Sequence, residues 1–288
     1  MPSLTTLLAF ALGYPPAGRE VRSGERWQTP DATIAYDDHP LQQLDFYSGG
    51  EGKRPLLAFL HGGAWQVGDK ARRLADRKAP FARGEGWHFA SLNFRLVPEV
   101  GVAEMARDAA KGIAALLARA DELGIDRRRI ALMGHSSGAH LAALIGTDPR
   151  HLRDAGLPMD ALAGVIANEG PAYDASEPSV RAGWLQRRLI APALPDDAAT
   201  QADLSPALHA TALPNAPAFL ILHAARDHGA RQAGLFEAAL REAGTPVERY
   251  GFPGSGAWGH VMLSRKFGEA GLPVTEVTRR WLRELFSP

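Results

Sequence analysis

Apolar runs that alternate with helix-like segments are the feature that most restricts what this chain can fold into. The apolar runs lie at residues 55–60, 87–91, 129–133, 161–166 and 218–222. Segments with helical spacing lie at 71–82, 102–122, 137–145 and 231–242. Unbroken apolar runs are typical of strands that are buried on both faces. The alternation therefore predicts βαβ units, and with them a three-layer α/β fold whose central sheet is mostly parallel and carries helices on both faces.

The two ends of the chain extend this pattern. Short strand-like runs at 32–36 and 41–47 flank a turn-prone segment and predict a hairpin at one edge of the sheet. A strand at 247–252 and a helix at 274–286 complete the fold. We expect the 288 residues to form one domain.

One long segment interrupts the alternation. Residues 170–215 are rich in Pro, Ala and Asp and contain no strong strand pattern. A loop of this length in a compact domain is usually functional or disordered. We interpret the segment as an insertion that covers the strand ends as a lid.

Composition narrows the classes of partner. Thirty-two basic residues balance thirty-two acidic ones, which argues against nucleic acid or an anionic membrane as partner and favours a small molecule. The chain has no cysteine, which excludes disulfides and thiolate chemistry. The apolar residues 1–12 lack a basic region and are too short to span a bilayer, so we expect a cytoplasmic protein without integral membrane association. The oligomeric state stays open.

The motif G-H-S-S-G at 134–138 stands directly between a predicted strand and a predicted helix. A serine on such a tight turn projects its hydroxyl above the sheet, and the flanking glycines let the strand and helix pass closely. Ser136 is therefore the predicted nucleophile. The backbone N–H of Ser137, at the start of the helix, is a predicted oxyanion donor.

A second motif, H-G-G-A-W at 61–65, follows the strand at 55–60. Acyl transfer requires donors directed at the oxyanion of the tetrahedral intermediate, and backbone N–H groups in a glycine-rich turn provide them. We assign the N–H groups of Gly63 and Ala64 to this oxyanion hole. His61 is expected to shape the loop.

A serine nucleophile requires a base and an acid that orients the base, here in the order Ser, Asp or Glu, His. Asp227 follows the strand at 218–222, and His260 follows the last strand in a glycine-rich loop. They are the predicted acid and base, and Glu169, after the preceding strand, is the rival acid. Other histidines near this region, among them His223 and His228, are expected to be surface or pocket-wall residues. No metal-ligand spacing is present, so no metal is predicted.

These motifs resemble the α/β-hydrolase superfamily, and in particular its branch of esterases, lipases and arylformamidases with an HGG-type oxyanion loop. The resemblance extends from about residue 34 to the C-terminus. It implies an α/β-hydrolase fold with a lid insertion, hydrolysis through an acyl-enzyme and no cofactor. The Ala64-Trp65 pair is similar to the loop of kynurenine formamidases and of feruloyl or acetyl esterases. Trp65, Trp184 and Trp258 are candidates for the wall of the substrate pocket.

The resulting functional expectation is a serine hydrolase of carboxylic esters, with short-acyl or small aryl or alkyl esters as substrates. An arylformamidase that uses the same residues on a formamide is the first alternative. A non-catalytic ligand-binding protein on a hydrolase scaffold is the second alternative.

Overall fold

The computed structural model describes residues 29–71, 77–182, 187, 190–211, 216–225, 227–253 and 256–287. Within these ranges eight strands form one sheet. They are β1 (Ala32–Ala35), β2 (Gln43–Tyr47), β3 (Arg54–Leu60), β4 (His88–Leu92), β5 (Ile125–His135), β6 (Gly164–Asn168), β7 (Ala218–Ala224) and β8 (Val247–Phe252).

The order of the strands across the sheet is β1-β2-β4-β3-β5-β6-β7-β8. The β1–β2 and β2–β4 pairs are antiparallel, and every other neighbouring pair is parallel. The sheet therefore confirms the mostly parallel arrangement, with the predicted hairpin at one edge. Parallel strands bring their carboxyl ends to a common edge of the sheet, where sites in open α/β folds collect.

Helices connect the strands and cover both faces of the sheet. They are α1 (Lys78–Gly84), α2 (Val102–Ala118), α3 (Ala120–Leu123), α4 (Ser137–Thr147), α5 (Pro149–Asp154), α6 (Ala198–Asp203), α7 (Pro206–Ala210), α8 (Asp227–Glu242), α9 (Gly256–Arg265) and α10 (Pro273–Leu285). Residue 161, the first of the predicted strand 161–166, belongs instead to a 3₁₀ turn over 159–161, and β6 begins at Gly164.

Side chains from the strands enter two hydrophobic clusters, one on each face of the sheet. On β3, Leu56 and Leu60 pack with α2 and α4, whereas Leu57 and Phe59 pack with α1, α9 and α10. This alternation explains the unbroken apolar run, because successive side chains of a strand point to opposite faces and both faces are covered. Apolar burial of this kind is the dominant favourable term in folding.

The described parts of the 170–215 insertion belong to the first of these clusters. Tyr173 is buried, stacks on Phe236 at a ring distance of 4.7 Å and donates a hydrogen bond to the Ala167 carbonyl at 3.2 Å. Gln232, also buried, hydrogen-bonds the backbone N–H and carbonyl of Asp174 at 2.9 and 3.2 Å. These contacts fasten the start of the insertion to the domain. Its action as a lid stays a prediction.

The interpretation of residues 1–12 falls outside the described part of the chain. Among the described residues, no helix combines the length and the apolar character needed to cross a bilayer.

Candidate active site

Ser136 occupies the turn between β5 and α4. Its φ of 55° and ψ of −122° are strained for a residue with a side chain, and its N–H donates to the Asn168 carbonyl at 2.9 Å. The flanking glycines are required for space. A Cβ on Gly134 would lie 2.0 Å from the Gly138 carbonyl oxygen, and one on Gly138 would lie 2.3 Å from the Leu60 carbonyl oxygen. The sequence motif therefore produces the predicted strand–turn–helix geometry.

His260 lies against the hydroxyl of Ser136. Its Nε2 is 3.0 Å from Ser136 Oγ, and its side chain is 18% exposed. In the tautomer that lets Nε2 accept the hydroxyl proton, Nδ1 carries the other proton. His260 was expected in a loop, but α9 begins at Gly256, so the residue lies inside a helix. Glycines at 256 and 259 favour a loop in the isolated sequence, and tertiary contacts of α9 override this preference.

A carboxylate faces the other ring nitrogen of His260. Glu169 Oε1 lies 3.5 Å from His260 Nδ1, and the Glu169 side chain is fully buried. Its Oε2 accepts a hydrogen bond from the Ala224 N–H at 2.5 Å, and its φ is 63°. A buried carboxylate needs such donors to remain ionised, and an imidazole needs an acceptor that holds its orientation. Glu169, the rival acid in the sequence, therefore lies within ion-pair distance of the His260 imidazole.

Asp227 is the first residue of α8, shortly after β7. Its backbone thus lies at the predicted edge of the sheet. Its side chain lies outside the described part of the structure, so the assignment of Asp227 as the acid stays a prediction.

The loop that begins at His61 lies beside Ser136. A Cβ on Gly62 would stand 3.0 Å from Ser136 Cβ, so only glycine permits this approach. Gly63, Ala64 and Trp65 all have positive φ, at 139°, 52° and 60°. Gly63 closes the turn through its carbonyl, which accepts hydrogen bonds from the N–H groups of residues 66 and 67, both at 3.1 Å. The strained loop is consistent with a preformed donor site.

His61 is positioned to shape this loop. Its ring stacks on Phe94 with a centroid distance of 4.5 Å, and its Nδ1 lies 3.0 Å from the Gly62 carbonyl oxygen. Two other histidines, which were expected to be surface or pocket-wall residues, also contact backbone carbonyls. His223 Nδ1 is 3.0 Å from the Ala224 oxygen, and His228 Nε2 is 2.8 Å from the Pro171 oxygen.

A buried polar network holds residues 69 and 70, which follow the loop that begins at His61, and the sequence analysis did not identify it. Lys70 Nζ donates to Asp45 Oδ1 at 2.8 Å, and both side chains are buried. Asn93 Nδ2 donates to Asp69 Oδ2 at 2.9 Å, and the Ser91 hydroxyl donates to the Lys70 carbonyl at 2.8 Å. The sequence feature that could have revealed this network is the presence of polar residues, namely Asp45, Ser91 and Asn93, in or beside otherwise apolar strands. Buried polar groups require such partners.

Of the three tryptophans that are candidates for the pocket wall, the structure describes the side chain of Trp65 alone. Trp65 is 1% exposed and packs edge-to-face on His140 at 5.3 Å, and its role in the pocket wall stays a prediction. Trp184 and the side chain of Trp258 lie outside the described residues, and their pocket roles stay predictions. Within the described ranges, no three His, Asp or Glu side chains are grouped to hold a metal ion.

Comparison with known proteins identifies the family. A family model described as BD-FAE matches residues 44–233, well over half of the chain. Isoprenylcysteine alpha-carbonyl methylesterase ICME of Arabidopsis thaliana is 36% identical over 119 residues, which are 38% of this chain and 26% of that protein. Esterase LipC of Mycobacterium tuberculosis is 31% identical over 211 residues, 67% of this chain and 50% of that protein. The chain thus spans about a quarter to a half of these relatives.

A solved structure agrees with this grouping at the level of the fold. The apo form of Thermogutta terrifontis esterase 2 superimposes with a TM-score of 0.73 at 22% identity, covering 93% of this chain and 100% of that one. The superposition shows that the chain has the α/β-hydrolase fold. Because the family model matches more than half of the chain, the chain belongs to the BD-FAE family.

Proposed function

We propose that this protein hydrolyses carboxylic esters through an acyl-enzyme formed on Ser136. The observation that carries the proposal is the 3.0 Å approach of His260 Nε2 to Ser136 Oγ on a strained strand-to-helix turn. The names of the relatives, a methylesterase and an esterase, support the same reaction.

In the proposed reaction, Ser136 Oγ attacks the ester carbonyl carbon while its proton passes to His260 Nε2. The N–H groups of Gly63, Ala64 and Ser137 stabilise the resulting oxyanion. The intermediate collapses, the bond to the alcohol oxygen breaks, and His260 gives its proton to that oxygen. Water then attacks the acyl-enzyme with His260 again as base, which releases the acid and restores the Ser136 hydroxyl.

Two carboxylates are proposed to orient His260. Asp227 is predicted from its position after β7, in the chain order that the motif requires. Glu169 is supported by the 3.5 Å approach of Oε1 to Nδ1 and by its burial. A carboxylate at Nδ1 fixes the tautomer that can accept the serine proton and stabilises the imidazolium that forms.

Short-acyl or small aryl or alkyl esters are the proposed substrates. Arylformamidase activity is the second candidate, and the Ala64-Trp65 end of the oxyanion loop favours it. The same residues would then form a formyl-enzyme and release an aromatic amine. We propose no cofactor and no metal, because the acyl-transfer steps are completed by side chains and backbone N–H groups.

The experiment that tests the proposal combines labelling with a substrate panel. A fluorophosphonate should label the wild type at Ser136, located by peptide mass spectrometry, and should not label Ser136→Ala. kcat/KM is then compared for p-nitrophenyl acetate, butyrate and octanoate and for N-formyl-L-kynurenine. Higher values for the short esters support the esterase, and a large excess for the formamide supports the alternative. A wild type that neither labels nor turns over any of them contradicts the proposal and favours a binding protein.

A further inference from the structure

Helix α9, which carries His260, is held by three buried donors from outside the helix. His135 Nε2 lies 3.0 Å from the His260 carbonyl oxygen, and Asn168 Nδ2 donates to the Leu263 carbonyl at 3.2 Å. Lys78 Nζ donates to the Ser264 carbonyl at 2.9 Å and contacts the Ser264 hydroxyl at 3.2 Å. The Leu263 and Ser264 carbonyls belong to the last turn of α9, where carbonyls lack partners within the helix.

Lys78 is the unexpected member of this group. It is 0% exposed, although lysine is almost never fully buried. Its ammonium lies 4.7 Å from the centre of the Phe59 ring and 5.7 Å from that of Phe267, so two aromatic rings lie against it. Burying a cation in such surroundings is costly, and an apolar residue would often stabilise the fold equally well. A stability role alone is therefore a poor explanation for a lysine at this position.

The contact fixes α9 close to the reacting atoms. Ser264 lies one turn beyond His260 in α9, about 6 Å along the axis at 1.5 Å per residue. A positive charge at the C-terminal end of a helix also interacts favourably with the helix dipole. The start of α1 and the segment after α9 approach closely, since a Cβ on Gly268 would lie 2.4 Å from the Arg77 carbonyl oxygen. An anchor at this point sets both the axial position and the rotation of α9.

The opposite end of the same turn is held by His135. Burial, followed by the charge of His260 and then by that of Lys78, holds the pKa of His135 well below its usual range. His135 is therefore neutral, and its Nε2–H is the donor to the His260 carbonyl. Lys78 thus acts on a helix that the neutral His135 already holds at the His260 carbonyl.

We propose that Lys78 is a positioning residue for the reaction: its buried ammonium anchors the last turn of α9 and thereby holds His260 at hydrogen-bond distance from Ser136. This inference rests on the proposed function of Ser136 and His260. If the proposal is correct, turnover requires the hydrogen-bond donor and the charge of Lys78 and not the volume of its side chain.

The test compares Lys78→Met, which keeps most of the volume, with Lys53→Met as the matched control. Lys53 is exposed, and its Nζ lies 3.6 Å from an Asp121 oxygen. kcat and KM on p-nitrophenyl acetate are measured per active site, counted by complete fluorophosphonate labelling. Misplacement of a catalytic group by about 1 Å costs about 100-fold in rate. We expect kcat of Lys78→Met to fall by about 10- to 100-fold with KM within about twofold, and the control to match the wild type.

The absence of cysteine allows a rescue that compares the same thioether chain with and without a terminal ammonium. Lys78→Cys gives a single thiol in the chain. Alkylation of the unfolded variant with bromoethylamine restores an ammonium on a side chain of lysine length, whereas bromoethane adds an uncharged ethyl group. After refolding beside the wild type, the aminoethylated protein should recover kcat to within about threefold, and the ethylated protein should not.

Each result decides the proposal. Unchanged kcat in a folded Lys78→Met, or equal recovery with both alkylating reagents, overturns it. If Lys78→Met and the ethylated protein both fail to fold, Lys78 serves the fold as a whole and the proposal is also overturned. A wild type without esterase activity or labelling contradicts the proposed function itself, a result distinct from an active wild type with an active Lys78→Met.

Discussion

The Glu169 carboxylate and the His260 imidazole approach within 3.5 Å, with Glu169 Oε1 facing Nδ1 on the side of the ring opposite Ser136. We expect Glu169→Gln to lower kcat at least tenfold at pH 7, because an amide can turn its NH₂ group toward Nδ1–H. Loss of a triad carboxylate costs up to about 10⁴-fold in a well-studied serine protease. Steady-state kinetics from pH 5 to 9 on Glu169→Gln, Asp227→Asn and the double variant measure both contributions.

The comparison of these variants distinguishes the two acids. If Asp227→Asn abolishes turnover while Glu169→Gln stays within about twofold of the wild type, Asp227 alone orients His260 and Glu169 is structural. If each single variant lowers kcat, and the double variant lowers kcat by less than the product of the two single fold-losses, the carboxylates act as one unit.

Strain at Ser136 gives a prediction about stability. Because its φ is 55°, glycine fits this position without steric cost, whereas alanine does not relieve the strain. Ser136→Gly should therefore be more stable than Ser136→Ala by about 1 kcal/mol, while both lack fluorophosphonate labelling. Urea unfolding monitored by circular dichroism provides the measurement. Equal stability of the two variants would mean that the surrounding turn does not strain this residue.

The geometry of Ala64 determines how the oxyanion donor can be tested. Proline would remove the N–H, but its φ near −65° conflicts with the 52° found here and would distort the loop. Replacement of Ala64 by lactic acid, which exchanges the N–H for an oxygen, removes only the donor. We expect kcat to fall by about 100- to 1000-fold. Ala64→Gly keeps the donor and should stay within about threefold; similar losses in both proteins would indicate a role in loop shape.

Buried histidines predict a loss of stability in acid. Burial lowers the pKa of His140 to about 4, and its Nε2 lies 2.8 Å from the Leu204 carbonyl oxygen. The unfolded chain, with a pKa near 6.5, binds more protons between about pH 6.5 and 4, so the free energy of unfolding falls as pH decreases through this window. His140→Gln keeps a donor and removes the titration, so it should reduce the slope by up to about 1.4 kcal/mol per pH unit.

Thermal and urea unfolding at several pH values measure this slope. His151, whose pKa burial also lowers to about 4, stays in the variant and contributes a residual slope. An unchanged slope in His140→Gln would contradict the assignment of a neutral His140 in the folded state.

The sequence analysis was most successful where local geometry dictates residue type. A serine with positive φ between a strand and a helix requires glycines at 134 and 138, so this strand–turn–helix geometry is visible in the sequence itself. The contact of Glu169 with His260 depends instead on how β6 and α9 converge, and no local pattern encodes it. The helical state of His260 was missed for the same reason. Donors at Lys78, His135 and Asn168, distant in sequence, hold a segment whose glycines favour a loop.

The anchoring of Tyr173 and of the Asp174 backbone on Phe236 and Gln232 limits how the 170–215 segment can be exchanged between relatives. In a chimera that carries this segment from a relative, the foreign segment would pack against the original α8, whose side chains do not match it. Loop grafting should therefore succeed only when α8 is transplanted as well. Divergence of this segment is accordingly expected to proceed by coordinated change in both regions rather than by recombination of the segment alone.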